Sequence, residues 1–178
     1  EQSLRIYREI DYRHGQSASL SYLGQVASLL GEHASAQELL QESLNMNRET
    51  GDRHAIAERL KQLGRVACRM GEHQVSKGYF DQALELAVGI RAIPVVLDTL
   101  IGVADLFQRE GKHGPALELL TFVALQAGSG RELQDRALAL IPACETVLSP
   151  ETVSRHRRRG QARTLEEAVG LTLGNPLS

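Results

Sequence analysis

This sequence predicts an all-α chain of repeated helical hairpins, on three observations. The first is composition. Of its 178 residues 42% are hydrophobic, drawn mostly from Leu, Ala and Val, and aromatics make up only 4%, with no Trp. The polar residues are rich in Glu, Gln and Arg, side chains that lose little rotamer freedom in a helix. The second is an internal repeat. Gly31-Glu32-His33 returns 40 residues later as Gly71-Glu72-His73 and again as Gly111-Lys112-His113. Leu23-Gly24-Gln25-Val26-Ala27 likewise returns as Leu63-Gly64-Arg65-Val66-Ala67. The third is that each unit holds two stretches with apolar residues at three-and-four spacing, parted by glycine, as paired helices require.

The elements follow in order. Residues 1–14 read as a leading half-repeat, since Leu4 steps to Leu44 and then Leu84. The chain opens at Glu1, without Met, inside a helical pattern, and is expected to be cut from a longer protein. Leu4 and Ile6, with neighbours such as Tyr7, then lack part of their cover, and self-association through this N-terminal end is expected. The first full repeat spans about 15–53. Its first helix, about 18–30, turns Leu20, Leu23, Ala27 and Leu30 to one side. Gly31, free to take positive φ, stops it. The second helix, about 34–48, turns Ala36, Leu39, Leu40, Ser43 and Leu44 inward, and Glu49-Thr50-Gly51-Asp52 closes the unit.

Repeats at about 54–93 and 94–130 follow at the same step, with Gly128-Ser129-Gly130 as a linker. Residues 131–147 form a degenerate unit, with Leu138, Ile141 and Val147 as its apolar positions and Cys144 at the small position. Pro142 is expected to kink or split that helix. Residues 148–178 read as capping helices and tail. Ser149-Pro150 is an N-cap followed by Pro at the first helical position. A polar helix over 151–159 is expected to end at Gly160. Thr164-Leu165-Glu166-Glu167 is a capping box. It opens a last helix with Leu165, Ala168, Val169 and Thr172 on one face, expected to dock around Leu140, Cys144 and Val147.

The unit resembles the tetratricopeptide repeat. That pattern wants Leu-Gly and a large residue in the first helix, then small, large and small residues in the second. The matching sets are Leu23, Gly24, Ala27, Ala36, Leu40, Ser43; then Leu63, Gly64, Ala67, Ser76, Phe80, Ala83; then Val103, Ala104, Phe107, Ala116, Leu120, Val123. The departures are the missing Trp and closing Pro, small Ala27 and Ala67 where an aromatic is usual, and a step of 40 against about 34. The longer step is similar to repeats of large bacterial signalling proteins. The resemblance implies a right-handed superhelix of antiparallel hairpins with a C-terminal helical cap. The ending, a short helix, Gly160 and then Thr164-Leu165-Glu166-Glu167-Ala168-Val169, resembles the C-terminus of LuxR-like and related ATPase-coupled bacterial regulators. Those carry an aromatic in the short helix where this chain has Arg155-His156-Arg157-Arg158-Arg159.

Little in the sequence suggests catalysis, and no enzyme activity, cofactor or metal is expected. His33, His73 and His113 lie one repeat apart, about 10 Å or more given helix packing, whereas zinc needs ligands about 2 Å from one point. They read as turn residues entering each second helix. Gly128-Ser129-Gly130 lacks the Lys-Ser/Thr of a phosphate loop. Glu166 and Glu167 point apart on a helix and compensate its dipole. Cys68 and Cys144 read as small core residues of a reducing compartment. No apolar run reaches the roughly 18 residues of a membrane span. The net charge of −2, from 20 basic and 22 acidic residues, argues against a dedicated nucleic-acid binder. The basic tract 155–159 leaves DNA contact as an outside alternative, since its flanking residues echo a LuxR-type recognition helix without a full helix-turn-helix.

What remains is binding. By the resemblance, first helices line a concave groove. The corresponding residues are Ser21, Gln25, Leu29, Lys61, Arg65, Arg69, Asp98, Ile101, Asp105 and Arg109. Lys61, Arg65 and Arg69 fall at i, i+4, i+8, a stripe expected to be exposed and able to pair with carboxylates of a bound protein or peptide segment. The implied role is an interaction scaffold within a cytoplasmic bacterial signalling or transcriptional regulator, able also to dock its own upstream ATPase. A stand-alone adaptor is the alternative.

Overall fold

The computed structural model describes residues 2–126 and 130–173. Gly128 and Ser129 of the expected linker lie outside the described residues. Ten helices and no strand occur among them: α1 (Gln2–Glu9), α2 (Arg13–Leu29), α3 (His33–Thr50), α4 (Arg53–Arg69), α5 (His73–Gly89), α6 (Ile93–Arg109), α7 (His113–Ala124), α8 (Arg131–Glu145), α9 (Pro150–Ala162) and α10 (Leu165–Leu173). The described residues are all-α, with consecutive helices of each hairpin packed against one another. The chain divides into two compact units, Glu1–Ile90 and Arg91–Ser178.

The turns repeat as faithfully as the sequence. Within each hairpin the amide of Glu32, Glu72 or Lys112 donates to the carbonyl of Ala27, Ala67 or Phe107, at 2.9, 3.0 and 2.7 Å. That closure requires a left-handed residue, supplied by Gly31, Gly71 and Gly111. The turns after α1, α3 and α5 also need positive φ, at Asp11, Gly51 and Arg91. His33, His73 and His113 are the first residues of α3, α5 and α7.

In the first unit α2 pairs with α3, α4 with α5, and α3 packs on α4. The small first-helix positions bring the backbones together: a Cβ on Gly24 would lie 2.8 Å from Leu40 Cγ, and one on Gly64 2.7 Å from the Phe80 ring. Leu40, Leu44, Leu60, Leu63 and Val66 form one core cluster, and Leu4, Leu20 and Met46 another. Each fully buried side chain of this kind contributes about 1.5–3 kcal/mol. Leu4 is therefore covered, contrary to expectation, while Ile6 is exposed. Hairpin α2–α3 also holds buried polar contacts: Ser17 Oγ donates to Asn47 Oδ1 at 2.6 Å, and Ser43 Oγ donates to the Ser17 carbonyl at 2.9 Å.

In the second unit α6 pairs with α7, and α8 packs on both. Four expectations change here. Pro142 does not split α8, because it stands in the last turn, costs that turn one donor, and its own carbonyl still accepts from Thr146. Leu138 and Val147 are exposed, since α8 buries only the stripe Ala137, Ile141, Cys144. Gly160 does not end α9, which runs on to Ala162 and stops where Arg163 turns extended. Finally, α10 touches α6 and α7 rather than the surface around Leu140, Cys144 and Val147. Its capping box is formed: Thr164 N donates to Glu167 Oε2 at 2.8 Å, and Glu167 N to Thr164 Oγ1 at 3.2 Å. Ala168, Val169 and Thr172 are its buried face.

Candidate functional site

First-helix faces carry the expected binding residues, and in the first unit these belong to α2 and α4. The two helices are stitched by polar side chains. Ser21 Oγ donates to Gln62 Oε1 at 3.2 Å, and Arg59 Nη1 reaches the same oxygen at 3.1 Å. Arg69 Nη1 donates to Ser28 Oγ at 2.6 Å and to the Ser28 carbonyl at 3.2 Å. Ser21 is buried and Gln25, though exposed, donates back to it at 3.3 Å. Lys61 is only 5% exposed and pairs with Glu58 at 2.7 Å. That is a correction: a buried ammonium needs a close partner to offset its lost hydration, and Glu58, one turn earlier, provides it. Arg65 is half-buried and Arg69 exposed, so the stripe of three cations reduces to Arg65 and Arg69.

A different row faces solvent. Tyr22, Val26 and Leu29 are 70%, 52% and 78% exposed, at i, i+4, i+7 on α2. Of these, sequence reasoning named only Leu29. The repeat holds the signal for the others, because the corresponding residues of α4 are Gln62, Val66 and Arg69. Gln62 and Arg69 bond to α2, and Val66 is 2% exposed within the shared core. The face by which α4 packs on α2 is thus, on α2 itself, open and apolar. Arg59 borders it. Burial pushes the Arg59 guanidinium below its ordinary pKa, while Glu58, Tyr22 and Asp52 push it back up.

In the second unit the expected residues mostly build structure. Asp98 is buried and held by Arg136 Nη1 at 2.6 Å, tying α8 to α6. Ile101 is buried in the core. Asp105, half-buried, pairs with exposed Arg109 at 3.2 Å. Gln108 Nε2 donates to the Leu140 carbonyl at 3.0 Å and lies 2.9 Å from Cys144 Sγ. Burial pushes the Cys144 thiol up, which disfavours the reactive thiolate.

The basic tail also has a structural task. Glu118 of α7, 3% exposed, receives His156 Nδ1 at 2.6 Å and Arg163 Nε at 3.1 Å. Arg163 Nη2 closes a second bond to the same carboxylate, and Arg159 Nη1 stands 3.6 Å away. Burial pushes the Glu118 carboxyl up, but the hydrogen bonds and charges of Arg163 and His156 outweigh it and leave the group below the ordinary carboxylate range. Arg157 pairs with Glu145 of α8 at 2.5 Å. Of the tract 155–159, Arg155 and Arg158 face solvent with no ion-pair partner among the described residues.

Among the described residues no group of three His, Cys, Asp or Glu side chains is placed to hold a metal, and no helix is long and apolar enough to cross a membrane. Residues 15–88 match the family described as tetratricopeptide repeat. No curated protein matches the chain.

Proposed function

With residues 15–88 identified as tetratricopeptide repeats, which serve as scaffolds for protein–protein interaction, we propose that the first unit binds an amphipathic partner segment along α2. Its apolar side lies on Tyr22, Val26 and Leu29, and its carboxylates reach Arg65 and Arg69. The open row on α2 carries this reading. Three large apolar side chains at i, i+4, i+7 form a continuous patch rather than scattered exposure, and the same face of α4 already accommodates the first helix of the preceding hairpin, so what fits α2 is an amphipathic helix of that kind, whether a partner or residues ahead of Glu1 supply it. Charge complementarity selects the acidic partner. We further infer that this scaffold serves a larger bacterial signalling or transcriptional regulator, with its own ATPase module among the partners. The residues behind that inference are the Thr164-Leu165-Glu166-Glu167 ending and the 40-residue step.

The test uses two labelled helical peptides with the same Leu row, one bearing Glu and one Lys on its polar side. The Glu peptide should bind, and Val26→Ser with Leu29→Ser should weaken it by about tenfold or more, roughly 1.4 kcal/mol. Both positions are exposed, so the melting temperature should hold. Equal binding of both peptides, or no loss in the variant, would refute the surface. The regulator context is tested by the gene upstream of Glu1: a phosphate-binding loop supports it, and a start codon there favours a stand-alone adaptor.

A further inference from the structure

Helix α9 packs on α7, and its residues explain why. By the 40-residue step, His156, Gly160 and Arg163 take the positions of Ala116, Leu120 and Val123. Those are the positions by which a second helix faces its own first helix, as Leu40 meets Gly24 and Phe80 meets Gly64. A histidine, a glycine and an arginine cannot supply that small–large–small apolar contact. The three residues instead face α7. A Cβ on Gly114 would lie 2.6 Å from His156 Nε2, and one on Gly160 would lie 2.5 Å from the Glu118 carbonyl oxygen.

The receiving face is specific to α7. Gly114 replaces Ala34 and Gln74 of the earlier hairpins, and Glu118 replaces Glu38 and Gly78. Ala34, Gln74 and Glu38 all face solvent, whereas Gly114, Glu118 and Thr121 are buried. Gly160 is the buried residue of α9, and the charge cluster on Glu118 ties the helix to α7.

We propose that the Gly114–Glu118–Thr121 face of α7 is a second protein-docking site, for a basic helix, and that α9 is its built-in occupant. The matching partner helix carries a histidine or arginine, then glycine four residues on, then arginine three further. Such a helix competes with α9 for the Glu118 carboxylate. Its binding frees α9 from α7 while α10 keeps its own anchor through Ala168, Val169 and Thr172. This face uses none of the residues of the α2 surface, and its ligand has the opposite charge.

The experiment uses the full chain and a labelled peptide of residues 149–163. Two variants loosen α9: His156→Gln with Arg163→Gln, and Gly160→Leu, which leaves α7 unaltered. Amide exchange across α9 should rise by about tenfold or more in both. The peptide should bind both at least about tenfold more tightly than the wild type, and adding Glu118→Gln should abolish that gain. Unchanged exchange in both variants overturns the clamp. Faster exchange without tighter peptide binding, or binding indifferent to Glu118→Gln, overturns the docking site. If the paired variant unfolds, Gly160→Leu alone decides.

Discussion

Gly160 of α9 approaches Glu118 of α7 so closely that the Glu118 carbonyl oxygen occupies the space a Cβ would need, at 2.5 Å. A backbone atom cannot give way as a side-chain tip can. Gly160→Ala should therefore destabilise the second unit by about 1–3 kcal/mol, as overpacking does. Gly78, inside α5, has nothing within 4 Å of its would-be Cβ. Gly78→Ala should instead stabilise by about 0.5–1 kcal/mol, because a helical Gly carries the larger backbone entropy. Thermal melts of the two single variants should move in opposite directions.

Gly64 and Phe80 should behave as one unit. An added Cβ at Gly64 meets the Phe80 ring at 2.7 Å, so Gly64→Ala should cost about 1–3 kcal/mol. In the Phe80→Leu background, which narrows the ring to a branched chain, the same change should cost less. Denaturant titrations of the double-mutant cycle should give a coupling of at least about 0.5 kcal/mol. Strict additivity would mean that α4 and α5 can separate without loss.

Glu118 makes the second unit sensitive to acid. Its folded pKa lies below its ordinary value, so its contribution is complete above the ordinary carboxylate range and is lost as pH falls through the depressed value. At neutral pH Glu118→Gln should cost about 3 kcal/mol, the low end for a broken buried pair, because Arg159 is largely exposed. Melts from about pH 7 down to 3 should show the wild type and Glu118→Gln converging. A gap that stays constant across that range would contradict the assignment.

The polar core of the first hairpin should tolerate wholesale replacement better than piecemeal change. Ser17, Ser43 and Asn47 correspond to Ala57, Ala83 and Ala87 in the second hairpin. Ser17→Ala alone strands the Asn47 carbonyl oxygen and should cost about 1–3 kcal/mol. Changing all three to Ala removes donors and acceptors together. It also removes the Asn47 Nδ2 that already lacks a partner. The triple variant should melt above the single one.

The hairpins were legible in the sequence because a 40-residue step repeats both the small–large contacts, such as Gly24 with Leu40, and the glycine turns. The capping box at Thr164 was legible for a similar reason, since its bonds span only three residues. What escaped depends on partners far away in sequence. Burial of Asp98 follows from a neighbouring helix, and a charged residue gives no sign of it until Arg136, 38 residues later, is placed against it. The position of α9 escaped because Gly160 reads locally as a helix stop. Its role as a contact appears only when Glu118, 42 residues earlier, lies against it. On α2, Tyr22 and Val26 fall outside the core face of Leu20, Leu23, Ala27 and Leu30, and their place shows only when the repeat sets them beside Gln62 and Val66.

The close crossing of α7 and α9 carries an evolutionary consequence. Gly114, Glu118, His156, Gly160 and Arg163 share one contact, so a change at any of them is tolerable only beside a change at another. Descendants of this sequence should drift freely at Arg155 and Arg158, which face water, while those five positions substitute in concert or not at all. A lineage that loses the glycine at 160 should lose the acid at 118 soon after, and the short helix should then be free to diverge or disappear.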